Sequence, residues 1–361
     1  MNKVLNYFKE IKKEKPFIQN IRVYGWQNEY DYQLVSSVMD YLFEDFNVIE
    51  NIAPITNENR PGNKKKKYYI TVHDTGDSAK IHSAKFWSDT VKNEYWEQGK
   101  YACSFQYVVG NDGIYHNIPD DEVAWHAGDS TEFDYNLYDA NVTGTSSSPN
   151  ITISSDGYYE IDGVKSVIKA PRIYKVKNNQ VLLDRLPLTS DINDQGILCK
   201  LIDGKYYIGE TYFAQGYEKI CNRGGNNNSI GIESCINEGT DIFFTFQRVA
   251  KLVAHLMKQN DLTINDIKQH HYYSGKNCPQ TLRMNGLWDY FLNLVKVERT
   301  VLDFIDEGYQ ISLIPSDESI LNNGRIVLSS KAKQVQYKIQ TVFNGKIEEE
   351  TFTIDIPMKA E

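Results

Sequence analysis

One short segment of the chain gathers side chains that could bind a metal ion. Residues 269–279 read QHHYYSGKNCP and include His270, His271 and Cys278. Imidazole and thiolate are preferred ligands of zinc, and a catalytic zinc site keeps three protein ligands and one open position for water. His270 and Cys278 lie eight residues apart with Gly275 between them, so a loop could fold back and direct both side chains at one ion.

A third ligand has to come from another part of the chain. Residues 68–74, YYITVHD, form an apolar and β-branched run that predicts a buried strand, and His73 lies near its carboxyl end. His73 is therefore the best candidate for the third ligand. A histidine and a cysteine at the spacing of His270 and Cys278 are weak evidence on their own, because such pairs are more often unrelated than joined by a metal.

Two further residues could do chemistry beside such an ion. Glu233 belongs to SIGIESC, a second short apolar strand, and its carboxylate could take a proton from water and pass it to a leaving nitrogen. Lys276 precedes Cys278 by two positions and could stabilise an oxyanion that develops on a carbonyl. A metal, a base and an oxyanion stabiliser together are the equipment for amide hydrolysis.

The segments around these residues alternate between strand and helix patterns. A helical pattern over residues 81–87 follows the strand at 68–74, and residues 104–119 contain a hairpin with an Asn-Asp-Gly turn. Helical periodicity returns over residues 246–257 and 287–295. Strands that alternate with helices predict an α/β layer architecture.

The same patterns divide the chain into regions. Residues 1–60 are predicted to be an N-terminal helical leader packed on the catalytic domain, because apolar residues fall at helical spacing at Leu34, Val38, Tyr41 and Leu42. The catalytic domain is predicted at 61–300, with a β-rich insertion at about 131–217. Residues 301–361 alternate around an Asn-Gly turn and predict a small β module that could mediate self-association or simply pack on the rest of the chain.

Composition argues against several classes of partner. With 361 residues, a net charge of -9 and a pI near 5.4, the chain is not expected to bind nucleic acid. No apolar stretch approaches the roughly 18 residues of a membrane span, and the first residues lack the apolar core of a recognisable signal peptide. The five cysteines are widely spaced and are predicted to be mostly reduced thiols: Cys103, Cys199, Cys221, Cys235 and Cys278.

Five motifs in one order give the chain a family resemblance. The motifs are TVHDTG, FQYVVGNDGIYHNIP, AWHAG, SIGIES and HHYYSGKNCP. In this order they resemble the zinc-dependent N-acetylmuramoyl-L-alanine amidases of the type-2 class, which includes phage endolysins and is related to peptidoglycan-recognition proteins. The resemblance covers about residues 50–130 and 220–297. It implies a mixed β-sheet flanked by helices, with zinc at one end of a peptide-binding groove.

The resemblance also implies which residues bind the metal. Carried over by position, the zinc ligands are His73, His270 and Cys278. His270 is preferred to its neighbour because the family spaces ligand, lysine and cysteine as His270, Lys276 and Cys278 are spaced. His271 then lines the groove or has a structural role.

Two other positions follow from the resemblance. His126 of AWHAG is matched by a histidine near the substrate groove, which implies substrate binding, with a structural role as the alternative. Some family members carry a catalytic tyrosine on the strand before the hairpin, where this chain has Phe105. A phenyl ring can neither donate a hydrogen bond nor move a proton. This difference leaves proton transfer to Glu233.

The sequence therefore predicts a zinc amidase that acts on bacterial cell-wall peptidoglycan. The expected reaction is hydrolysis of the amide between the lactyl group of N-acetylmuramic acid and L-alanine, as in a phage or prophage endolysin, a virion-associated enzyme or an intracellular recycling enzyme. The resemblance to endolysins also implies wall binding as a role for residues 301–361. Two alternatives stay open. One is a peptidoglycan-binding protein of the same fold without catalysis, against which the presence of Cys278 with both histidines argues. The other is a zinc peptidase that cuts within the stem peptide.

Overall fold

The computed structural model describes residues 2–25, 28–94, 103–128, 137–146, 149–177, 180–191, 199–209, 225–274 and 276–359. Its strands are β1 (Ile18–Tyr24), β2 (Glu29–Val35), β3 (Ile49–Glu50), β4 (Tyr69–Asp74), β5 (Tyr107–Gly110), β6 (Gly113–His116), β7 (Leu137–Thr143), β8 (Ile151–Ile153), β9 (Tyr158–Ile161), β10 (Val164–Lys169), β11 (Ile173–Lys177), β12 (Gln180–Arg185), β13 (Cys199–Ile202), β14 (Lys205–Gly209), β15 (Ser229–Ser234), β16 (Ile267–Gln269), β17 (Gln310–Pro315), β18 (Lys333–Phe343) and β19 (Lys346–Ile356). Its α-helices are α1 (Lys3–Ile11), α2 (Ala84–Asn93), α3 (Gly225–Asn228), α4 (Ile242–Gln259), α5 (His271–Ser274), α6 (Gln280–Met284) and α7 (Trp288–Asp306).

A six-stranded mixed sheet in the order β16-β4-β15-β5-β6-β3 forms the centre of the fold. Strands β16, β4, β15 and β5 run parallel, and β5 and β6 form the antiparallel hairpin. Tyr107 and Val109 of β5 pack in one apolar cluster with α4 and α7, whereas Val108 packs in another with α2. Alternate residues of a strand face opposite sides, so helices cover both faces of this sheet. The predicted α/β class is confirmed.

The N-terminal region differs from the sequence prediction. Leu34 lies in β2, which pairs with β1 as an antiparallel hairpin, and residues 36–45 form no helix. The predicted helix is wrong because its apolar residues serve two different cores: Leu34 packs against the central sheet, whereas Val38 and Tyr41 pack with α1 and the C-terminal strands. Helix α1 is capped by Asn2, whose side chain accepts from the N–H groups of Val4 and Leu5.

The segment that was expected to be β-rich forms β7 to β14 in its described part. These strands build three small sheets, β10-β9-β8, β11-β12 and β13-β14-β7. They have an apolar cluster of their own, made by Ala140, Val142, Tyr159, Ile161, Ala170, Ile173, Tyr206 and Ile208. The β-rich character of this segment is thereby confirmed, whereas its limits stay a prediction. Cys221 lies outside the described residues, and the other four cysteines are free thiols.

The C-terminal strands form a three-stranded antiparallel sheet in the order β17-β18-β19. Asn344 and Gly345 connect β18 to β19, both at positive φ, as a tight hairpin turn requires. Helix α7 runs beyond the predicted boundary at residue 301 and contributes Val297 and Val301 to the same cluster as α1 and this sheet. The division into domains stays a prediction. Within the described residues, no helix has the length and apolar character needed to cross a membrane.

A buried ion pair joins α4 to α7. The Lys251 ammonium lies 3.1 Å from the Glu298 carboxylate, and the two residues are 6% and 2% exposed. Glu298 also accepts a hydrogen bond from the N–H of Leu42 at 2.7 Å. The pair therefore fixes both helices and the segment after β2 to one another.

We expect Glu298→Gln to lower the free energy of unfolding by about 3 kcal/mol, because it leaves the buried Lys251 charge without a counter-charge. Urea denaturation followed by circular dichroism measures this change. Glu349→Gln, which removes an exposed partner of Lys338, is the control and should leave the midpoint unchanged. Equal urea midpoints for the parent and Glu298→Gln would contradict the prediction.

His116 lies between two carboxylates at the edge of the central sheet. Its Nδ1 is 3.0 Å from Glu50 of β3, its Nε2 is 3.4 Å from Asp120, and its ring stacks on Tyr107 with ring centroids 4.5 Å apart. Burial lowers the pKa of His116, but the neighbouring carboxylates of Asp120 and Glu50 outweigh burial, so the pKa lies above its usual value of 6.5.

This raised pKa predicts a pH-dependent contribution to stability. The charged ring stabilises the fold fully below the unfolded-state pKa near 6.5, and the contribution is lost as the pH rises through the folded-state pKa. We expect the difference in unfolding free energy between the parent and His116→Gln to shrink as the pH rises from below 6.5 through the raised folded-state pKa. Urea titrations of both proteins at several pH values measure it, and a difference that stays constant would refute the prediction.

Candidate metal centre and active site

Neighbouring parallel strands bring their reactive residues to one edge of the central sheet. Glu233 of β15 pairs in register with His73 of β4, and Gln269 of β16 pairs with Val72 of β4. The residue after Gln269 is His270, which therefore follows β16 at the level of His73. Because the carboxyl ends of parallel strands meet at the same edge of a sheet, Glu233, His73 and His270 lie side by side there.

Cys278 reaches this edge because the loop after β16 folds back. The N–H of His271 donates to the carbonyl of Cys278 at 3.1 Å, which closes the loop. The carboxylate of Asp74 accepts from the N–H of Thr281 at 2.8 Å and so holds the start of α6, just beyond the cysteine, against the end of β4. Gly275, the glycine expected at the bend, lies outside the described residues.

The three predicted ligands form one buried cluster. Ligand atoms of His73, His270 and Cys278 all lie within 4.8 Å of one another. The two Nδ1 atoms are 3.1 Å apart, and Cys278 Sγ is 3.6 Å from His73 Nδ1. In a tetrahedral zinc site of usual bond lengths, two nitrogen ligands are about 3.3 Å apart and a nitrogen and a sulfur about 3.6 Å. The spacing of the three atoms fits such a site.

The surroundings of the cluster set the protonation of its members. Burial, helped by the neighbouring His270, lowers the pKa of His73 well below its usual value. Burial and the charge of Lys276 lower the pKa of His270 to about 3. Both rings are then neutral, which is the form that binds metals. Burial raises the pKa of the Cys278 thiol, so a thiolate at this position needs a cation beside it. These donors fit zinc.

Glu233 borders the cluster. Its Oε1 lies 3.8 Å from His73 Nδ1. Its Oε2 is buried and has no hydrogen-bond partner among the described residues. Burial raises the pKa of the Glu233 carboxyl to about 8, against the opposing effect of Lys276. A buried carboxyl group with one unpaired oxygen beside the cluster is arranged to exchange a proton with a molecule bound there.

Lys276 precedes Cys278 by two positions, and its side chain is exposed. Its charge lowers the pKa values of His73, His270 and Glu233. A cation that acts on these groups is suited to stabilise negative charge on a bound carbonyl. Its role in oxyanion stabilisation stays a prediction.

The two histidines that were expected to contact substrate lie in different surroundings. His271 is half-buried at the start of α5, in the segment that leads to Cys278. His126 is only 8% exposed, and its Nδ1 lies 2.9 Å from His73 Nε2, the ring nitrogen that faces away from the cluster. Phe105, which stands where some family members have tyrosine, is buried in an apolar cluster with Trp87.

Sequence patterns did not identify the residues that support the site from behind. Asp74 anchors α6, as described above. Gln106 accepts from the N–H of Gly231 at 2.7 Å and donates to the carbonyl of Glu122 at 2.9 Å, and so ties β15 to the chain just before the AWHAG segment. Asn226 accepts from two N–H groups of the AWHAG segment. Asp74 and Gln106 lie within the sequence motifs, but their residue types do not reveal which backbone groups they bind.

Comparison with known proteins adds an independent result. The N-acetylmuramoyl-L-alanine amidase family matches residues 63–281. N-acetylmuramoyl-L-alanine amidase CwlH of Bacillus subtilis (strain 168) is 25% identical over 244 residues, which are 68% of this chain and 59% of that protein. N-acetylmuramoyl-L-alanine amidase XlyA of the same organism is 22% identical over 245 residues, which are 68% of this chain and 50% of that protein.

The chain thus spans between half and three-fifths of the length of these two relatives. The solved catalytic domain of XlyA is 21% identical, with 69% of this chain and 99% of that domain covered and a TM-score of 0.41. The family match takes in more than half of the chain, including His73, Glu233, His270 and Cys278. This chain belongs to the N-acetylmuramoyl-L-alanine amidase family.

Proposed function

We propose that this protein is a zinc-dependent hydrolase that cleaves the amide between the lactyl group of N-acetylmuramic acid and L-alanine in peptidoglycan. The observation that carries the proposal is the buried cluster of His73, His270 and Cys278 with the unpaired Glu233 carboxyl beside it, all within the family match. Zinc held by these three ligands would supply a Lewis acid for the scissile carbonyl and would make water a stronger nucleophile.

Glu233 and Lys276 have separate roles in the proposed reaction. Glu233 accepts the proton of the attacking water through its unpaired oxygen and then gives that proton to the alanine nitrogen as the amide bond breaks. Burial, which raises the pKa of this carboxyl, makes its carboxylate form a stronger proton acceptor. Lys276 stabilises the negative charge that develops on the carbonyl oxygen. Phe105 takes no part in proton transfer, because its ring has no exchangeable proton.

We also propose that the protein acts on the bacterial cell wall as a lytic enzyme of the endolysin type. The motif order that it shares with the type-2 amidases, a class that includes phage endolysins, supports this. The β17–β19 sheet is the proposed element for wall binding or self-association. Its shared core with α1 and α7 would hold it rigidly to the rest of the chain.

The test is digestion of purified peptidoglycan, followed by assay of new amino termini with and without a zinc chelator. We expect N-terminal alanine to appear, to disappear with the chelator and to return when zinc is added back. Other new amino-terminal residues, with alanine still attached to the sugar, would identify a peptidase. Binding of the wall by zinc-loaded protein without any new termini would identify a recognition protein.

A further inference from the structure

The ring of His126 lies behind that of His73 as seen from the cluster. His126 Nδ1 is 2.9 Å from His73 Nε2, and the two rings are nearly perpendicular at 87°. The other ring nitrogen of His73, Nδ1, faces His270 and Cys278. Each nitrogen of His73 therefore has a separate partner, one in the cluster and one behind it.

This arrangement selects one tautomer of His73. Nδ1 can bind a cation only through its lone pair, so the ring proton has to be on Nε2. The Nε2–H then donates to His126 Nδ1, which has to be an acceptor. A hydrogen bond to the second nitrogen of a ligand histidine holds the ring in orientation and increases its basicity.

His126 itself is held from two sides. A Cβ added at Gly231, at the centre of β15, would lie 2.6 Å from His126 Cγ, so the ring packs directly on the glycine backbone. Asn226 Oδ1 accepts from the N–H groups of His126 and Ala127 at 2.8 Å and 2.6 Å. Asn226 follows the β-rich segment and His126 precedes it. The hydrogen bonds thus join the two ends of that segment behind the cluster.

We propose that His126 is a positioning residue that fixes the orientation and tautomer of His73, and that Gly231 and Asn226 hold it in place. This inference rests on the proposed zinc site. It gives His126 a role different from the substrate contact that the family resemblance implies. As a positioning residue, His126 affects metal affinity and needs no contact with peptidoglycan.

The test compares His126→Leu with His126→Asn in the full chain. Leucine removes the acceptor, whereas the asparagine Oδ1 replaces it near the position of Nδ1. We expect leucine to weaken zinc binding by roughly 10- to 100-fold in competition with a chromophoric chelator and to change the visible spectrum of the cobalt-substituted protein. Asparagine should restore most of the affinity and the parent spectrum. Thermal unfolding of the metal-free proteins shows whether each variant is folded.

A second pair of variants tests the packing on Gly231. Gly231→Ala displaces the His126 ring and should weaken zinc binding, although all ligands remain. In a His126→Ala background the same change should have little further effect, because the methyl group then has room. If His126→Leu does not fold, this pair of variants tests the positioning role of His126 in its place.

The outcomes separate this inference from the proposed function. Unchanged zinc affinity in folded His126→Leu or in folded Gly231→Ala would overturn the positioning role. If His126→Leu lost activity but kept its zinc affinity, His126 would be a substrate-binding residue instead. A parent protein that binds no zinc would overturn the proposed metal site and this inference together. A parent protein that binds zinc but releases no alanine termini would overturn only the proposed reaction.

Discussion

Replacement of Glu233 by glutamine is expected to lower the rate of alanine release by at least about 10³-fold while zinc stays bound at one ion per chain. Glutamine has nearly the same shape as glutamate, but its amide cannot accept the proton of the attacking water. Glu233 is not one of the three residues whose ligand atoms form the cluster, and its nearest oxygen lies 3.8 Å from His73 Nδ1. The loss should therefore fall on turnover and leave zinc affinity unchanged.

The measurements are the rate of formation of N-terminal alanine and the zinc content of the same preparation. Glu238→Gln is the matched control, because Glu238 follows on the same chain segment and lies in an exposed pair with Lys80. It should keep the parent rate. If Glu233→Gln kept most of the activity, a different group would have to move the proton. If it lost zinc, Glu233 would have to contribute to metal binding.

Much of the site could be predicted from the sequence because its main elements are local. The apolar run before His73 indicated a buried strand, and the position of His73 near its end follows from that. Three short segments and the order of the five motifs were enough to name His73, Glu233, His270 and Cys278 as candidates. The parallel pairing of β16, β4 and β15, which brings His270 and Glu233 beside His73, is visible only in the structure.

The N-terminal region shows where short-range patterns fail. Leu34, Val38 and Tyr41 have the spacing of one helix face, but they are buried in two different cores. Leu34 packs against the central sheet, and the other two pack with α1 and with the C-terminal strands β17–β19. A spacing pattern reports that residues are buried and cannot report which element buries them.

The contact between His126 and His73 could not be predicted from the sequence for a related reason. It depends on the absence of a side chain at Gly231 in β15 and on the hydrogen bond that the N–H of His126 donates to Asn226, 100 residues later in the chain. The glycine in SIGIES is an ordinary strand residue when the sequence is read alone. Its importance becomes visible only when the neighbouring ring is placed 2.6 Å from where a Cβ would lie.

Replacement of Cys278 by serine is expected to remove bound zinc and to reduce activity by more than about 10³-fold. The buried hydroxyl of serine does not ionise and is a poor zinc ligand, so only two histidines would remain in the cluster. Zinc also stabilises the folded parent protein because it binds only the folded site. We therefore expect a chelator to lower the Tm of the parent and to leave the Tm of Cys278→Ser unchanged.

Cys235→Ser is the matched control for this prediction. Cys235 is as deeply buried as Cys278 and directly follows β15, but it packs in the apolar cluster on the α2 side of the sheet. This variant should lose some stability because a hydroxyl replaces a buried thiol, yet it should keep its zinc and the chelator-dependent shift in Tm. A Cys278→Ser protein that retains stoichiometric zinc would show that the cysteine is not a ligand. If both variants lost zinc equally, the loss would reflect general damage to the sheet, so only a difference between them identifies Cys278 as a ligand.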